Sequence, residues 1–299
     1  MASKKHGKRS KKRLFYDLML ISVIPVIIAW FTSSPSMRGS LEVTFIDVDQ
    51  GDCSLIKAPD GKALLIDAGE KERYEDSVLS YLMADGLWKI DSTMASHYHS
   101  DHAGSILELL NEGYTKSLFI PKTPDDGDIK ENLIAAAESH KIKVTETEAN
   151  DKITLGSNPN VKLEVLFPNP ALFTNSDKNP NNDSIVLRLD YCGLSFLFTG
   201  DIESDAEKVL MNSAMLNADV LKVAHHGSST STTDGFLDAV SPKYAVIEVG
   251  MNNKYDHPHD EVLNRLKERN IELYQTDICG NISFFADKSG IYYIRTEKN

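Results

Sequence analysis

Ser96-His97-Tyr98-His99-Ser100-Asp101-His102-Ala103-Gly104 sets three imidazoles and one carboxylate within six residues, directly after an apolar, β-prone run that ends near Ala95. Neutral imidazole and carboxylate together form the ligand set for zinc, manganese or iron. Alternation in an extended segment points His97 and His99 the same way, and the turn into the next helix can bring Asp101 and His102 back beside them. Solvated loop residues are the plainer alternative, but such a cluster rarely arises by chance. The stretch reads as a metal site.

The other histidines agree. Seven of the nine lie in three tight groups: this one, His225-His226 and His257-Pro258-His259. His6, in a basic tail, and His140, at the polar end of a helix-like segment, read as solvated residues.

A chain of 299 residues with 41% hydrophobic side chains can bury a proper core. Its charge is divided unevenly. Residues 1–13 hold seven of the 32 basic side chains and no acid, leaving 25 basic against 44 acidic residues in the remainder, a net charge of −19. Such an acidic body disfavours broad nucleic-acid binding, which relies on Lys and Arg to neutralise phosphates. It leaves room for a phosphate-bearing substrate at a dication.

After the basic tail, Leu18–Phe31 is almost wholly apolar and no charge appears until Arg38. This is the short end of what spans a bilayer. Basic residues on its N-terminal side place that side in the cytoplasm. The expectation is a cytoplasmic tail (1–13), a transmembrane anchor or signal segment (14–36), and a hydrolase domain (41–296) outside the cytoplasm. No Ala-x-Ala pattern follows the apolar run, which favours a single-pass anchor in the cell membrane over a cleaved, secreted form. Beyond this segment nothing is long and apolar enough for a membrane channel. Cys53, Cys192 and Cys279 read as small hydrophobes, not as a disulfide framework.

From Ser40 onward, β-branched runs alternate with helical stretches. Strands are expected at Leu41–Val48, Cys53–Lys57, Ala63–Ile66 and Ser92–Ala95, with helices at Tyr74–Asp85, Ala103–Asn111 and Ile129–His140. The polar run 169–183 reads as a long loop, a kind that is often functional. The alternation continues through Ile291–Arg295 and fits one α/β domain of mixed sheets covered by helices. Further acids and imidazoles fall where strands end: Asp67 in Ile66-Asp67-Ala68-Gly69, Asp201 after Phe198-Thr199-Gly200, and His225-His226 after Leu221–Ala224. Neighbours on a strand face opposite ways, so one of this pair is expected to be a ligand.

In this order the motifs resemble the metallo-β-lactamase superfamily, and within it the hydrolase-domain branch of the DNA-uptake competence protein ComEC. The resemblance is carried by Asp47–Asp52, Leu65–Gly69, Ser96–Gly104, Asn182–Arg188, Phe198–Asp201 and Leu221–Ser228, and is extended by Pro242–Val246 and Tyr255–His259. It covers about residues 41–296 and implies a four-layer αββα sandwich with one or two divalent ions, zinc or manganese, at one edge of the paired sheets. It implies that His97 and His99 hold the first ion and that Asp101, His102 and His226 hold the second. Asp201 would bridge the two, Asp67 would orient the histidine loop from behind, and His225 would be free to meet substrate.

Two departures matter. The superfamily usually adds a further His to the first ion, but this chain has none between His140 and His225. Asn182 or Asp183 could supply oxygen there, a harder and weaker site that favours manganese. Asp49 also stands where the branch usually has Gly.

The function implied is hydrolysis by a metal-bound hydroxide, with a phosphodiesterase or nuclease of the ComEC-like type as the first expectation. The substrate would be a phosphate ester, DNA among the candidates. Asp101, His225 and His257 are the candidate catalytic residues, and His259, starting a helix, reads as structural. The alternatives are hydrolysis of another ester, amide or lactam bond, a cell-wall teichoic-acid phosphoesterase, and a non-catalytic surface protein. The intact cluster argues against the last.

Overall fold

A computed structural model describes residues 39–123, 127–172, 179–213 and 215–298. The expected basic tail and apolar anchor lie outside these residues. Among the described residues no helix is long and apolar enough to cross a membrane.

The chain first lays down β1 (Leu41–Phe45), β2 (Ser54–Lys57) and β3 (Ala63–Ile66) as an antiparallel meander. It then adds β4 (Ser92–Met94), β5 (Ser117–Pro121) and β6 (Lys143–Thr147) in parallel. A second sheet follows: β7 (Lys152–Ile153), β8 (Lys162–Phe167), β9 (Val186–Tyr191), β10 (Leu194–Phe198), β11 (Val220–Lys222), β12 (Tyr244–Ile247) and β13 (Glu272–Gln275). Finally β14 (Ile282–Ala286) and β15 (Tyr292–Thr296) return to the first sheet beside β1.

Period-two patterning decides what each face buries. Along β10, Phe196 and Phe198 point between the sheets while Leu197 points outward. The inner layer joins Val43, Phe45 and Ile66 of one sheet to Leu187, Leu189 and Phe198 of the other, with the rings of Phe45 and Phe198 5.9 Å apart. Outside the first sheet lie α1 (Ser80–Ala84), α2 (Ser100–Asn111) and α3 (Ile129–Ser139), which press Leu82, Ile106 and Leu133 against Leu55, Leu65 and Leu118. Outside the second lie α4 (Ser204–Ser213), α5 (Asp234–Val240) and α6 (Asp260–Glu268), which press Leu210, Phe236 and Leu266 against Leu197, Leu221 and Ala245. The expected αββα order is present.

Helix α2 begins at Ser100, earlier than its apolar pattern suggests, because His99 is its N-cap and Asp101 sits in the first turn. A carboxylate is favoured there by the exposed N–H groups. Helix α5 was not expected. It is announced by Thr233, whose Oγ1 accepts the Phe236 N–H at 3.3 Å, the cap signature of a helix start. Strands β3 and β4 run parallel, as do β10, β11 and β12. Their carboxyl ends open at one edge, where ligand sites of α/β sheets form.

Candidate metal centre

Asp67 leaves β3 with a left-handed φ of 56°, which turns its carboxylate under the histidine loop. One oxygen accepts the Ser96 N–H at 2.7 Å and the other lies 2.9 Å from His102 Nδ1. That leaves His102 Nε2 facing inward, 3.2 Å from Asp201 Oδ2. His226 repeats the device with a carbonyl: its Nδ1 lies 2.8 Å from the Glu248 oxygen, and its Nε2 is 3.3 Å from Asp101 Oδ2. Partners of this kind fix the orientation of metal-binding imidazoles. The rings of His97 and His99 lie on one side, centroids 4.7 Å apart.

Among the described residues, the buried atoms His97 Nε2, His102 Nε2, His226 Nε2 and Asp201 Oδ1 make no hydrogen bond. Buried polar atoms are nearly always paired. Here the ligand atoms of His97, His102 and Asp201 gather within 4.8 Å of one another, and so do those of Asp101, His102 and His226. Lone pairs converging in this way suit a divalent cation. The residues fit the expected metal.

Charge tells the same story. Burial opposes a proton on His102 and His226, yet the surrounding carboxylates, Asp201 first, hold His102 well above its ordinary pKa and push His226 up to about 10. Asp201 is held well below the carboxylate range despite its burial, mainly by His102 and His226. In the metal-free protein, protons occupy the place a cation would take. For His226 the folded pKa exceeds the unfolded value of about 6.5, so its stabilising contribution is complete below that pH and fades as pH rises towards 10. Zinc or manganese must displace these protons. Metal affinity of the folded protein is therefore expected to climb with pH up to about 10. Calorimetric heats that vary with the buffer's ionisation enthalpy would measure the proton release, and heats independent of buffer would count against it.

The histidine pair is separated by a turn and not by a strand. His225 and His226 do not continue β11. They occupy a tight turn with φ of 52° and 51°, so strand alternation is not what separates them. The turn buries His226 and leaves His225 22% exposed, its Nε2 3.9 Å from Asp201 Oδ2 and its Nδ1 3.5 Å from Glu203 Oε1. His257 faces the same cleft of about 350 Å³, as do His99 and Asp101. His259 instead caps α6 and accepts the Ser229 N–H at 2.9 Å, as expected of a structural residue. Asn182 turns its carbonyl to the Glu203 N–H at 2.8 Å, and Asp183 closes the short turn Pro180–Asp183. Asp183 joins neither of the two gathered sets.

Three residues beneath the cluster were not singled out. Lys222, buried in β11, forms an ion pair with Asp52 and lies 4.0 Å from Asp201 Oδ1. Asp52 in turn stands 3.2 Å from His226 Nδ1. Glu248 accepts the Cys53 N–H at 2.9 Å and the Ser54 hydroxyl at 3.0 Å, while burial and Asp52 raise its pKa to about 8. A lone charge inside an apolar run, as in Val220-Leu221-Lys222-Val223, was the available signal. Gly51 belongs to the same layer. Its φ is 135°, and a Cβ there would overlap the Asp101 carbonyl. Asp49 has a φ of 65° and pairs with Arg73. It adopts the left-handed turn a Gly would take, which Asp tolerates better than most residues.

A family model described as the metallo-β-lactamase superfamily matches residues 46–250. The chain belongs to that superfamily. This member is 32% identical to ComE operon protein 3 of Bacillus subtilis (strain 168), across 87% of this chain and 35% of that one. It is 30% identical to Competence protein ComA of Neisseria gonorrhoeae, across 83% of this chain and 33% of that one. These relatives bear out the ComEC-like branch, and the chain spans about a third of their length. Among solved structures, CmlA, a diiron β-hydroxylase from Streptomyces venezuelae, superposes with a TM-score of 0.51 at 12% identity, over 80% of this chain and 52% of that one. That likeness shows the fold. The superfamily fold is that of a metal-dependent hydrolase, and this member keeps the gathered His and Asp side chains.

Proposed function

We propose that this metallo-β-lactamase-fold hydrolase is a phosphodiesterase, a nuclease in type, held outside the cytoplasm by its N-terminal apolar segment. A reporter fused after Asn299 that is active inside the cytoplasm would refute the placement. The observation that carries the activity is the pair of imidazoles, His225 and His257, which stand over the carboxylate–imidazole cluster with ring centroids 5.5 Å apart. An anionic ester entering the cleft meets these imidazoles beside the Asp201 and Asp101 carboxylates. One relative's name speaks of competence, which supports a nucleic acid as the ester.

When bound, divalent ions at this site would supply Lewis acidity and an acidified water. His97, His99 and Asp201 would hold one, and Asp101, His102, His226 and Asp201 the other. The first set has two imidazoles and no third, so manganese is the proposed ion over zinc. Glu203 Oε1 lies 3.5 Å from His225 Nδ1, and Nε2, with Asn181 Nδ2 at 3.5 Å, is the atom that would turn to a phosphate oxygen or the leaving oxygen. Ring burial and the neighbouring His226 and His225 hold His257 down at about 4, so near neutral pH it acts as a hydrogen-bonding, uncharged imidazole.

Hydrolysis of bis-p-nitrophenyl phosphate, single-stranded DNA and a chromogenic cephalosporin, each with manganese and with zinc, tests the reading. Turnover of the two phosphodiesters is expected, and turnover of the cephalosporin alone would overturn it. The same assay separates the paired histidines. His226→Ala is expected to lose metal together with activity. His225→Ala is expected to keep its metal and lose about 10²–10⁴-fold in turnover, the range for a proton-transfer or oxyanion partner. Metal loss in His225→Ala and not in His226→Ala would reverse the assignment.

A further inference from the structure

Two clefts meet at Tyr255. It lines the metal-centre cleft beside His257, and also an adjoining cleft of about 280 Å³ that runs past Lys254 and Arg73. Single exposed aromatics are ordinary on protein surfaces, but this one is placed and held. Tyr255 is 48% exposed. His257 lies against it with centroids 5.6 Å apart and planes at 24°, and the Lys254 ammonium stands 4.8 Å from its centroid.

The rim is rigid because one carboxamide pins it. Asn253 Nδ2 donates to the carbonyls of Gly250 at 3.0 Å and His257 at 2.6 Å. Its Oδ1 accepts the N–H groups of Tyr255 and His257, each at 3.1 Å. Gly250 N–H donates to Gln50 Oε1 at 3.3 Å, tying this rim to the loop after β1. A preorganised aromatic beside a phosphate-cleaving centre can offer a flat face at little entropic cost. The ammonium has two uses that exclude each other. It can rest on the ring, a weak contact when exposed, or move to a phosphate and uncover that face.

We propose that Tyr255 and Lys254 read the nucleotide next to the scissile phosphate, the ring stacking an unpaired base and the ammonium taking the adjoining phosphate. This rests on the phosphodiesterase reading above. Bases in a duplex are already stacked and cannot offer a face to Tyr255, so the substrate is a single strand. A polyol-phosphate polymer has no flat face to offer.

The test is fluorescence anisotropy with the full chain loaded with manganese, using a short fluorescein-labelled oligothymidylate with phosphorothioate linkages and its abasic analogue. The basic residues 1–13 are common to every variant, so differences report the rim. The wild type is expected to prefer the thymidylate roughly 5- to 150-fold, the range for one stacked base. Tyr255→Ala is expected to erase that preference and Tyr255→Trp to keep it. Lys254→Gln is expected to keep the preference and lower the salt slope by about 0.7, one phosphate contact on a single strand. Retained preference in Tyr255→Ala, or an equal loss of poly(glycerol phosphate) binding in that variant, would overturn the proposal. Bis-p-nitrophenyl phosphate turnover measured in parallel separates the two ideas. Turnover without base preference sinks the subsite alone, whereas base preference without turnover sinks the hydrolase and leaves the nucleotide site standing.

Discussion

Asp201→Ala is expected to strip the centre of metal and to lower phosphodiester turnover by at least about 10³-fold. Asp201 belongs to one of the two gathered sets through Oδ1 or Oδ2 and lies 3.2 Å from an imidazole of the other. In the proposed arrangement Asp201 serves both ions, and it also lies 3.7 Å from His226 Nε2, so its loss would weaken both sites. A metal contributes several kcal/mol of charge stabilisation in a hydrolytic transition state, and each 1.36 kcal/mol is tenfold in rate. The fold should survive, because Asp201 lies at the sheet edge and the three apolar layers are elsewhere. Elemental analysis after manganese reconstitution, beside far-ultraviolet circular dichroism, reads both. Wild-type metal content in Asp201→Ala would remove this residue from the centre.

The second large effect is on stability. Lys222→Met keeps the apolar stem and deletes the charge that faces Asp52, with both side chains almost fully buried. Breaking a buried pair from one side costs about 3–5 kcal/mol, because the remaining charge stays uncompensated. For a domain of this size each kcal/mol is worth roughly 2–4 °C in melting temperature. Lys222→Met should therefore melt roughly 6–20 °C lower than wild type. Replacing Asp52 with Leu in the same chain should recover part of that loss and not all, since Asp52 also stands 3.2 Å from His226. A melting temperature within about 2 °C of wild type for Lys222→Met, which is below the cost of any buried unpaired charge, would contradict this account.

The centre's main parts were legible because they are chemically rare and locally clustered. His97, His99, Asp101 and His102 announce themselves within six residues, and the structure gathers their side chains at the strand ends. The strand Ala63–Ile66 was legible to the residue, since Gly61, Lys62 and Asp67 punctuate the apolar run there. What escaped was long-range. The pairing of Lys222 with Asp52 joins β11 of the second sheet to the loop between β1 and β2 of the first, and no local pattern in either segment says that the other is there. The geometry of His225 and His226 escaped for a different reason. Two successive non-glycine residues with positive φ are unfavourable in isolation, so the turn is imposed by its surroundings. A Cβ on Gly227 would sit 2.6 Å from Pro258 Cβ, which shows how tightly that neighbour constrains it.

The position of β14 beside β1 bears on how the protein comes off the ribosome. Strand β1 pairs on one side with β2, which follows at once, and on the other with Ile282–Ala286. Thr44 and Ser283, 239 positions apart, share a hydrogen bond of 2.9 Å across that seam. A nascent chain therefore carries an open, apolar strand edge through most of its synthesis, the kind of edge that recruits other strands. Contacts this distant in sequence also form slowly. A holdase that shields residues 41–45 during elongation should raise the yield of folded protein more than one acting on any later segment.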